Sequence, residues 1–430
     1  MYRAVIEELK QWKAKGGRKP LILAGARQVG KTYILKKFGR EHFDNVAYVN
    51  CDNNPAAREL FTADYDLQRI LLAITAMTRT AVTPGKTLII LDEIQEAPNG
   101  LAVLKYFCEN APEYHVAVAG SLLGVAMQQG QSFPVGKVDV IRMYPMTFNE
   151  FLLARGESAL KQILDSKDWA LIAPFHQRLV QILREYYFVG GMPEAVLKFV
   201  ESNDVKAVRT VQNSILFTYQ RDMSKHVNPL EANRINMVWQ SMPAQLVKEN
   251  KKFLYGVARK GGRAKDFETA IQWLVDAGLV LKCNRVNAPK MPLKFYEDIS
   301  SFKLFLLDCG LLGALSETSP ELMLVAQNGL EEFKGAFTEN YVMQQLTATL
   351  QRSIFYYSND AKLEIDFLVQ WHDAVVPIEA KAEENVRSKS LRTLVEANPG
   401  MKGLRFSMSP YREQEWLTNV PLYAIDSYLQ

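Results

Sequence analysis

The chain has 430 residues, 48% of them hydrophobic and 23% charged, with a formal net charge of +4. That length exceeds what one core organises and implies roughly two to four domains, and the composition excludes a disordered or low-complexity chain. The charge is too mild to argue for nucleic acid by itself, although a local basic patch would permit such contact.

The first 19 residues carry charge throughout and hold no apolar stretch, so no signal peptide is read. Apolar runs such as 88–91 fall far short of the ~20 residues of a membrane span, and a cytoplasmic protein without membrane contact is expected. Cys51, Cys108, Cys283 and Cys309 are far apart and lack histidine companions at ligand spacing, which reads as reduced thiols.

From the amino terminus, short apolar runs at 21–24, 46–50, 88–91, 115–119 and 139–143 alternate with helical patterns. This predicts an α/β fold with a parallel sheet over residues 1–150. Long amphipathic helices follow over 151–225, interrupted at Gly190-Gly191-Met192-Pro193, where glycine ends one helix and Pro193 begins the next. A helical run over 266–277 closes at Gly278, a strand resumes at 279–281, and a loop rich in proline and lysine spans 287–294. That succession suggests a winged helix-turn-helix over 226–300. In the remainder, 301–430, a helix near 331–350 precedes strands at 353–357, 363–370 and 375–380.

Residues 25–32 read G-A-R-Q-V-G-K-T, a complete Walker A pattern between an apolar strand and an amphipathic helix. Gly25 and Gly30 let backbone N–H groups curl around a phosphate chain without a side-chain clash. The cradle therefore comprises Gly25, Ala26, Arg27, Gln28, Val29 and Gly30, with Lys31, Thr32 and Tyr33 at the helix start. Lys31 would reach the β- and γ-phosphates, and Thr32 would give its hydroxyl to Mg²⁺, so ATP with magnesium is the expected ligand. A buried run at 88–91 then presents Asp92 and Glu93. Asp92 fits the acid that helps hold Mg²⁺, and Glu93 is placed to polarise a water for attack on the γ-phosphate. The pair favours hydrolysis over binding alone.

The strand at 115–119 ends at Gly120-Ser121. Ser121 is a candidate γ-phosphate sensor, with an N-cap serine as the other reading. Lys137, Arg142, Arg184 and Arg221 could each supply charge beside the γ-phosphate, and the sequence does not choose among them.

Near the carboxyl end, Asp366 is read as ending an alternating strand pattern, and period two puts Glu379 and Lys381 on one face of the next strand. With Glu339 on the preceding helix, the set resembles the E…D…E-x-K constellation of the PD-(D/E)XK nucleases. There Asp366 and Glu379 would hold Mg²⁺, Lys381 would orient water and Glu339 would complete the shell. A solvated sheet face, or a nuclease-like fold kept without cleavage, accounts for the same residues. Arg259, Lys260, Arg263 and Lys265 open the presumed recognition helix, where they would meet DNA phosphates or base edges. The alternative treats them as a solvated face, with Phe267 and Trp273 in the core.

The Walker A string, L-D-E-I-Q at 91–95, P-M-T-F-N-E-F at 145–151, G-G-M-P-E-A-V at 190–196 and F-K-L-F-L-L-D-C-G-L-L at 302–312 together resemble AAA-type ATPases of bacteria and archaea that carry an uncharacterised C-terminal domain. The resemblance covers nearly the whole chain. It implies a P-loop NTPase core, a helical lid, a winged helix and a C-terminal domain of the restriction-endonuclease-like α/β fold. Gly136-Lys137 stands where many relatives have Gly-Arg, and lysine cannot make arginine's bidentate phosphate contact.

The resulting expectation is an ATP-driven machine or switch acting on nucleic acid. Two alternatives stay open: a nucleotide-dependent signalling or assembly protein that binds protein partners or itself, and a metal-dependent nuclease gated by ATP.

Overall fold

The strand that presents the acid pair is buried over its whole length, Thr87–Asp92, because it lies inside a parallel sheet covered on both faces. The computed structural model describes residues 1–52, 54–62, 65–120, 133–225, 227–248, 252–324, 331–359, 363–382 and 388–430, with the side chains of 331 and 332 left out. The chain divides into two compact units, residues 2–144 with 276–278 and residues 145–275 with 279–430.

In the first unit, helix α1 (Val5–Ala14) precedes strand β1 (Leu21–Ala24), helix α2 (Lys31–His42) and strand β2 (Asn45–Asn50). Helices α3 (Pro55–Glu59) and α4 (Leu67–Thr78) lead to strand β3 (Thr87–Asp92), and helix α5 (Gly100–Asn110) to strands β4 (His115–Ala119) and β5 (Asp139–Arg142). The strands form a parallel sheet in the order β2-β3-β4-β1-β5. Strand β4 therefore separates the strand before the P-loop from the strand bearing Asp92. Ile89 and Leu91 of β3 pack with Ile70 and Ile74 of α4 and with Leu101, Leu104 and Phe107 of α5. Registers align Asp92 with Asn50 and Ala119, and Ala24 with Arg142. The five carboxyl ends thus share one edge, where parallel α/β sheets place their ligands.

The second unit begins with helix Phe148–Ala154, closed at its start by a capping box between Thr147 and Glu150. The punctuation at residues 190–193 behaves as read. Helix His176–Val189 stops before Gly190, and Pro193 opens helix Pro193–Ser202. Helix Ala264–Asp276 buries Phe267 and Trp273, as the core reading of those aromatics has it.

Strands β6 (Val280–Val286), β7 (Glu297–Leu306), β8 (Phe355–Ser358), β9 (Glu364–Trp371), β10 (Ala374–Ala380), β11 (Gly403–Ser407), β12 (Arg412–Glu413) and β13 (Leu417–Pro421) form one sheet in the order β12-β13-β11-β10-β9-β8-β6-β7. The hairpin expected as a wing is part of this sheet. The β6–β7 hairpin is the edge of that sheet, since β6 pairs antiparallel with β7 and parallel with β8. The expected division at residue 300 falls inside β7, where no break occurs. Asp366, expected at a strand's end, is the third residue of β9. Helix Glu331–Leu350 is tied to β7 by Asn340, whose side chain accepts from Leu306 N–H at 2.8 Å and donates to Leu306 C=O at 3.2 Å. Among the described residues, no helix is long and apolar enough to cross a membrane.

Candidate functional site

The loop between β1 and α2 bends through positions that side chains seldom adopt. Gly25 has φ 150°, Gln28 φ 65° and Gly30 φ 95°. A Cβ on Gly25 would lie 2.2 Å from the carbonyl oxygen of Met143, so both the space and the backbone require glycine there. Ala26 and Val29 are buried, Arg27 and Gln28 are half-buried, and Tyr33 is exposed. Arg3, which the sequence reading did not single out, holds this loop: it donates to the Val29 carbonyl at 2.7 Å and the Tyr144 carbonyl at 2.5 Å.

Lys31 opens α2 and is only 7% exposed. Its ammonium donates to the carbonyls of Gly25 at 2.8 Å and Ala26 at 2.7 Å. Burial lowers its pKa to about 8, with Glu93 and Asp92 working against that shift. A buried cation ringed by a glycine loop and facing two acids is suited to a polyanion with a bound divalent metal.

Asp92 is 4% exposed. Thr32 Oγ1 donates to its Oδ2 at 2.8 Å, and the Tyr48 hydroxyl donates to the same oxygen at 2.9 Å. The hydroxyl and the carboxylate expected to hold Mg²⁺ therefore converge from two elements, and both are hard oxygen donors of the kind that ion takes. Tyr48 is a second residue the sequence reading missed, because it lies on β2, outside both motifs. Its ring lies under the Lys36 ammonium, 3.3 Å from the centroid. Glu93 sits in the left-handed region at φ 49°, and its Oε2 accepts from Gln95 Nε2 at 2.5 Å. Electrostatically it is the leading partner of Lys31.

Of the four candidate cations, Arg142 ends β5 in register with Ala24, one residue before the loop, and is exposed. Lys137 is ion-paired to Glu109 at 2.9 Å. Arg184 and Arg221 belong to the other unit, where Arg184 lines a small cavity with Tyr187, Met323 and Phe337, and Arg221 lies over Phe217. Ser121 lies outside the described residues.

The carboxylates of the second unit do come together, around lysines. Glu379 pairs with Lys381 at 2.9 Å, and Asp366 accepts from the Ala380 N–H at 2.9 Å. Lys303 on β7 is 1% exposed and meets Glu364 at 2.6 Å. Burial opposes its charge, but Glu339, Glu364 and Asp366 outweigh burial and hold its pKa above the ordinary value. Among the described residues, no three or more His, Cys, Asp or Glu side chains are arranged to hold a metal ion. Glu339, Asp366 and Glu379, the residues expected to hold Mg²⁺, favour the charged forms of Lys303 and Lys381.

The other strings that carry the resemblance meet in a buried hub. Asp308 Oδ2 accepts from the Gly191 N–H at 2.6 Å and from Gln344 at 3.2 Å, and its Oδ1 accepts from the Leu311 N–H at 2.9 Å. Met146 N–H donates to the Gly191 carbonyl at 2.7 Å, and the Tyr186 hydroxyl donates to the Met146 carbonyl. These residues specify packing.

Residues 17–152 match the family model described as an AAA domain. Residues 180–322 and 334–425 match two models described as domains of unknown function, DUF8612 and DUF4143. No curated protein matches the chain. Among solved structures, a Walker-type ATPase of Pyrococcus abyssi is similar at 12% identity and TM-score 0.44, covering 72% of this chain and 94% of its own. The Aeropyrum pernix ORC1 protein in complex with DNA is similar at 12% identity and TM-score 0.31, covering 76% and 95%. RuvB of Thermotoga maritima is similar at 12% identity and TM-score 0.32, covering 64% and 88%. The family match, together with the loop geometry, supports an AAA-type P-loop domain of the ATPase kind in the amino-terminal part of the chain.

Proposed function

We propose that the protein binds ATP with Mg²⁺ through residues 25–33, hydrolyses it, and uses the turnover as a switch acting on nucleic acid. The observation that carries the reading is the convergence of Thr32 and Asp92 at 2.8 Å beside the buried Lys31. Lys31 and the loop amides would bind the phosphates, while Thr32 and Asp92 would hold the metal, which supplies charge neutralisation at the γ-phosphate. Glu93 is the base we assign to the attacking water. Its hydrogen bond to Gln95 fixes the carboxylate before any water is engaged. For nucleic acid, the support is the exposed basic group Arg259, Lys260, Arg263 and Lys265 at the start of helix Ala264–Asp276.

ATP turnover with and without DNA tests both halves. Lys31→Ala is expected to weaken nucleotide binding, whereas Glu93→Gln should bind ATP and hydrolyse it at least ~100-fold more slowly, the lower range for losing a general base. Normal turnover by Glu93→Gln would remove the glutamate from this role. A rate indifferent to DNA at low salt would remove the nucleic-acid half and leave the ATPase standing.

A further inference from the structure

One row of side chains crosses the sheet of the second unit in register. Glu379 on β10 aligns with Arg405 on β11, Arg405 with Asn419 on β13, and Asn419 with Arg412 on β12. The row runs from acid to base. At its basic end lies a cavity of about 580 Å³ lined by Ser388, Arg405, Tyr411, Arg412, Trp416 and Asn419 among others.

The cavity floor is built rather than incidental. Arg405 donates through Nε to Asn419 Oδ1 at 2.9 Å and through Nη1 to Ser388 at 3.3 Å. Asn419 is 2% exposed, and its amide donates to the carbonyls of Pro410 at 2.9 Å and Ser409 at 3.3 Å. It thereby fixes both the guanidinium and the turn that carries Tyr411. The Tyr411 ring is stacked on Trp169 with centroids 4.0 Å apart and planes 2° apart, so that wall is rigid. Arg412 is exposed on a strand of two residues. The acid next to it, Glu413, pairs instead with Lys402 at 2.6 Å.

Two arginines a strand apart suit phosphate oxygens, and half-buried tryptophan and tyrosine rings suit flat, stackable faces. Amide and hydroxyl groups between them suit the polar edges of bases. The volume lies within the range of ordinary ligand pockets of ~300–1,000 Å³. A closed duplex would offer the phosphates but not the faces.

We propose that this cavity binds nucleotides of a single-stranded nucleic acid, with phosphates on Arg405 and Arg412 and a base against Trp416. The proposal rests on the nucleic-acid half of the function above and gives it a site.

The test is fluorescence anisotropy of a labelled oligothymidylate of about 15 residues, titrated with the full chain in buffer free of ATP, at several salt concentrations. Arg412→Glu is expected to weaken binding at least tenfold and to make the log Kd against log salt slope shallower by about 0.7 for each phosphate no longer neutralised. Trp416→Leu, checked for folding by circular dichroism, should weaken binding to a similar degree while leaving the salt slope unchanged. Wild-type binding that both variants retain would overturn the cavity and leave the nucleic-acid reading intact. A wild-type chain that binds no strand would overturn the cavity proposal, and the nucleic-acid half would fall as well only if ATP turnover also ignored DNA. If AMP binds and the strand does not, the ligand is a free nucleotide and the strand assignment falls.

Discussion

Replacing Asp308 with asparagine keeps the volume of the hub and exchanges one acceptor oxygen for a donor. Both oxygens of Asp308 are in use: Oδ2 takes the Gly191 N–H and Gln344, and Oδ1 takes the Leu311 N–H. The cheaper orientation of the amide puts its nitrogen at Oδ1, where it faces the Leu311 N–H. Two groups of buried donors then lack acceptors, at ~1–3 kcal/mol each, so a loss of about 2–6 kcal/mol is expected at pH 8. A pH dependence accompanies it. Burial pushes Asp308 up to about 6 from 3.8, against the N–H donors that favour its charge. A raised pKa means that the folded chain binds this proton more tightly. The associated stability is complete below pH ~4 and is lost as pH rises through ~6. From pH 8 to pH 5 the wild type regains about 1.4 kcal/mol that asparagine cannot, so the deficit of the variant should widen by that amount. Urea unfolding at the two pH values, followed by tryptophan fluorescence, measures it. Five of the six tryptophans, all except Trp12, lie in the unit that holds Asp308. A deficit under ~1 kcal/mol at both pH values would refute the hub, and an equal deficit at both would refute the effect of burial on the acid.

Other expectations concern single contacts. Tyr48→Phe removes the hydroxyl that donates to Asp92 while keeping the ring beneath Lys36. ATP turnover should fall about tenfold, the equivalent of ~1.4 kcal/mol, with ATP affinity within about twofold; an unchanged rate would show the bond to be idle. Gly191→Ala would place a Cβ 2.2 Å from the Met146 carbonyl oxygen; a loss of at least ~2 kcal/mol in urea unfolding is expected from backbone that must shift, and a neutral result would contradict the packing. Burial pushes the Cys51 and Cys283 thiols up to about 12 and also raises Cys309, leaving half-buried Cys108. A thiol-specific disulfide reagent at pH 8 should therefore titrate one thiol in the native chain and four after unfolding; two or more fast native thiols would contradict that burial.

The phosphate loop was legible because its chemistry is contiguous. Eight consecutive residues carry the turn, the cation and the hydroxyl, and an apolar strand announces each half of the site. Arg3 and Tyr48 were illegible for the opposite reason. Each reaches its partner only after the chain has folded across 26 residues to Val29 or 44 to Asp92, and nothing local marks an arginine or a tyrosine for that use. The wing shows the same limit in a sheet. A hairpin after a helix reads identically whether its far side meets solvent or another strand. The strand on that far side is β8, whose Phe355 pairs with Asn284 from far along the chain.

Lys303 joins β7 to Glu364 on β9. It belongs to the same run as Asp308, on a stretch of β7 buried from Ser301 onward. An isolated ammonium there would be expelled or neutralised. Glu364 at 2.6 Å, together with Glu339 and Asp366, keeps it charged. The converse holds as well: three carboxylates brought this close need a cation, and Lys303 supplies one from β7. Removing that lysine would strand the acids. Its loss should therefore destabilise the sheet by about 3–5 kcal/mol, read as a lower urea midpoint than that of the wild type. The acid and lysine pattern that reads as catalytic along β9 and β10 also serves, with β7 in place, to balance a buried ammonium.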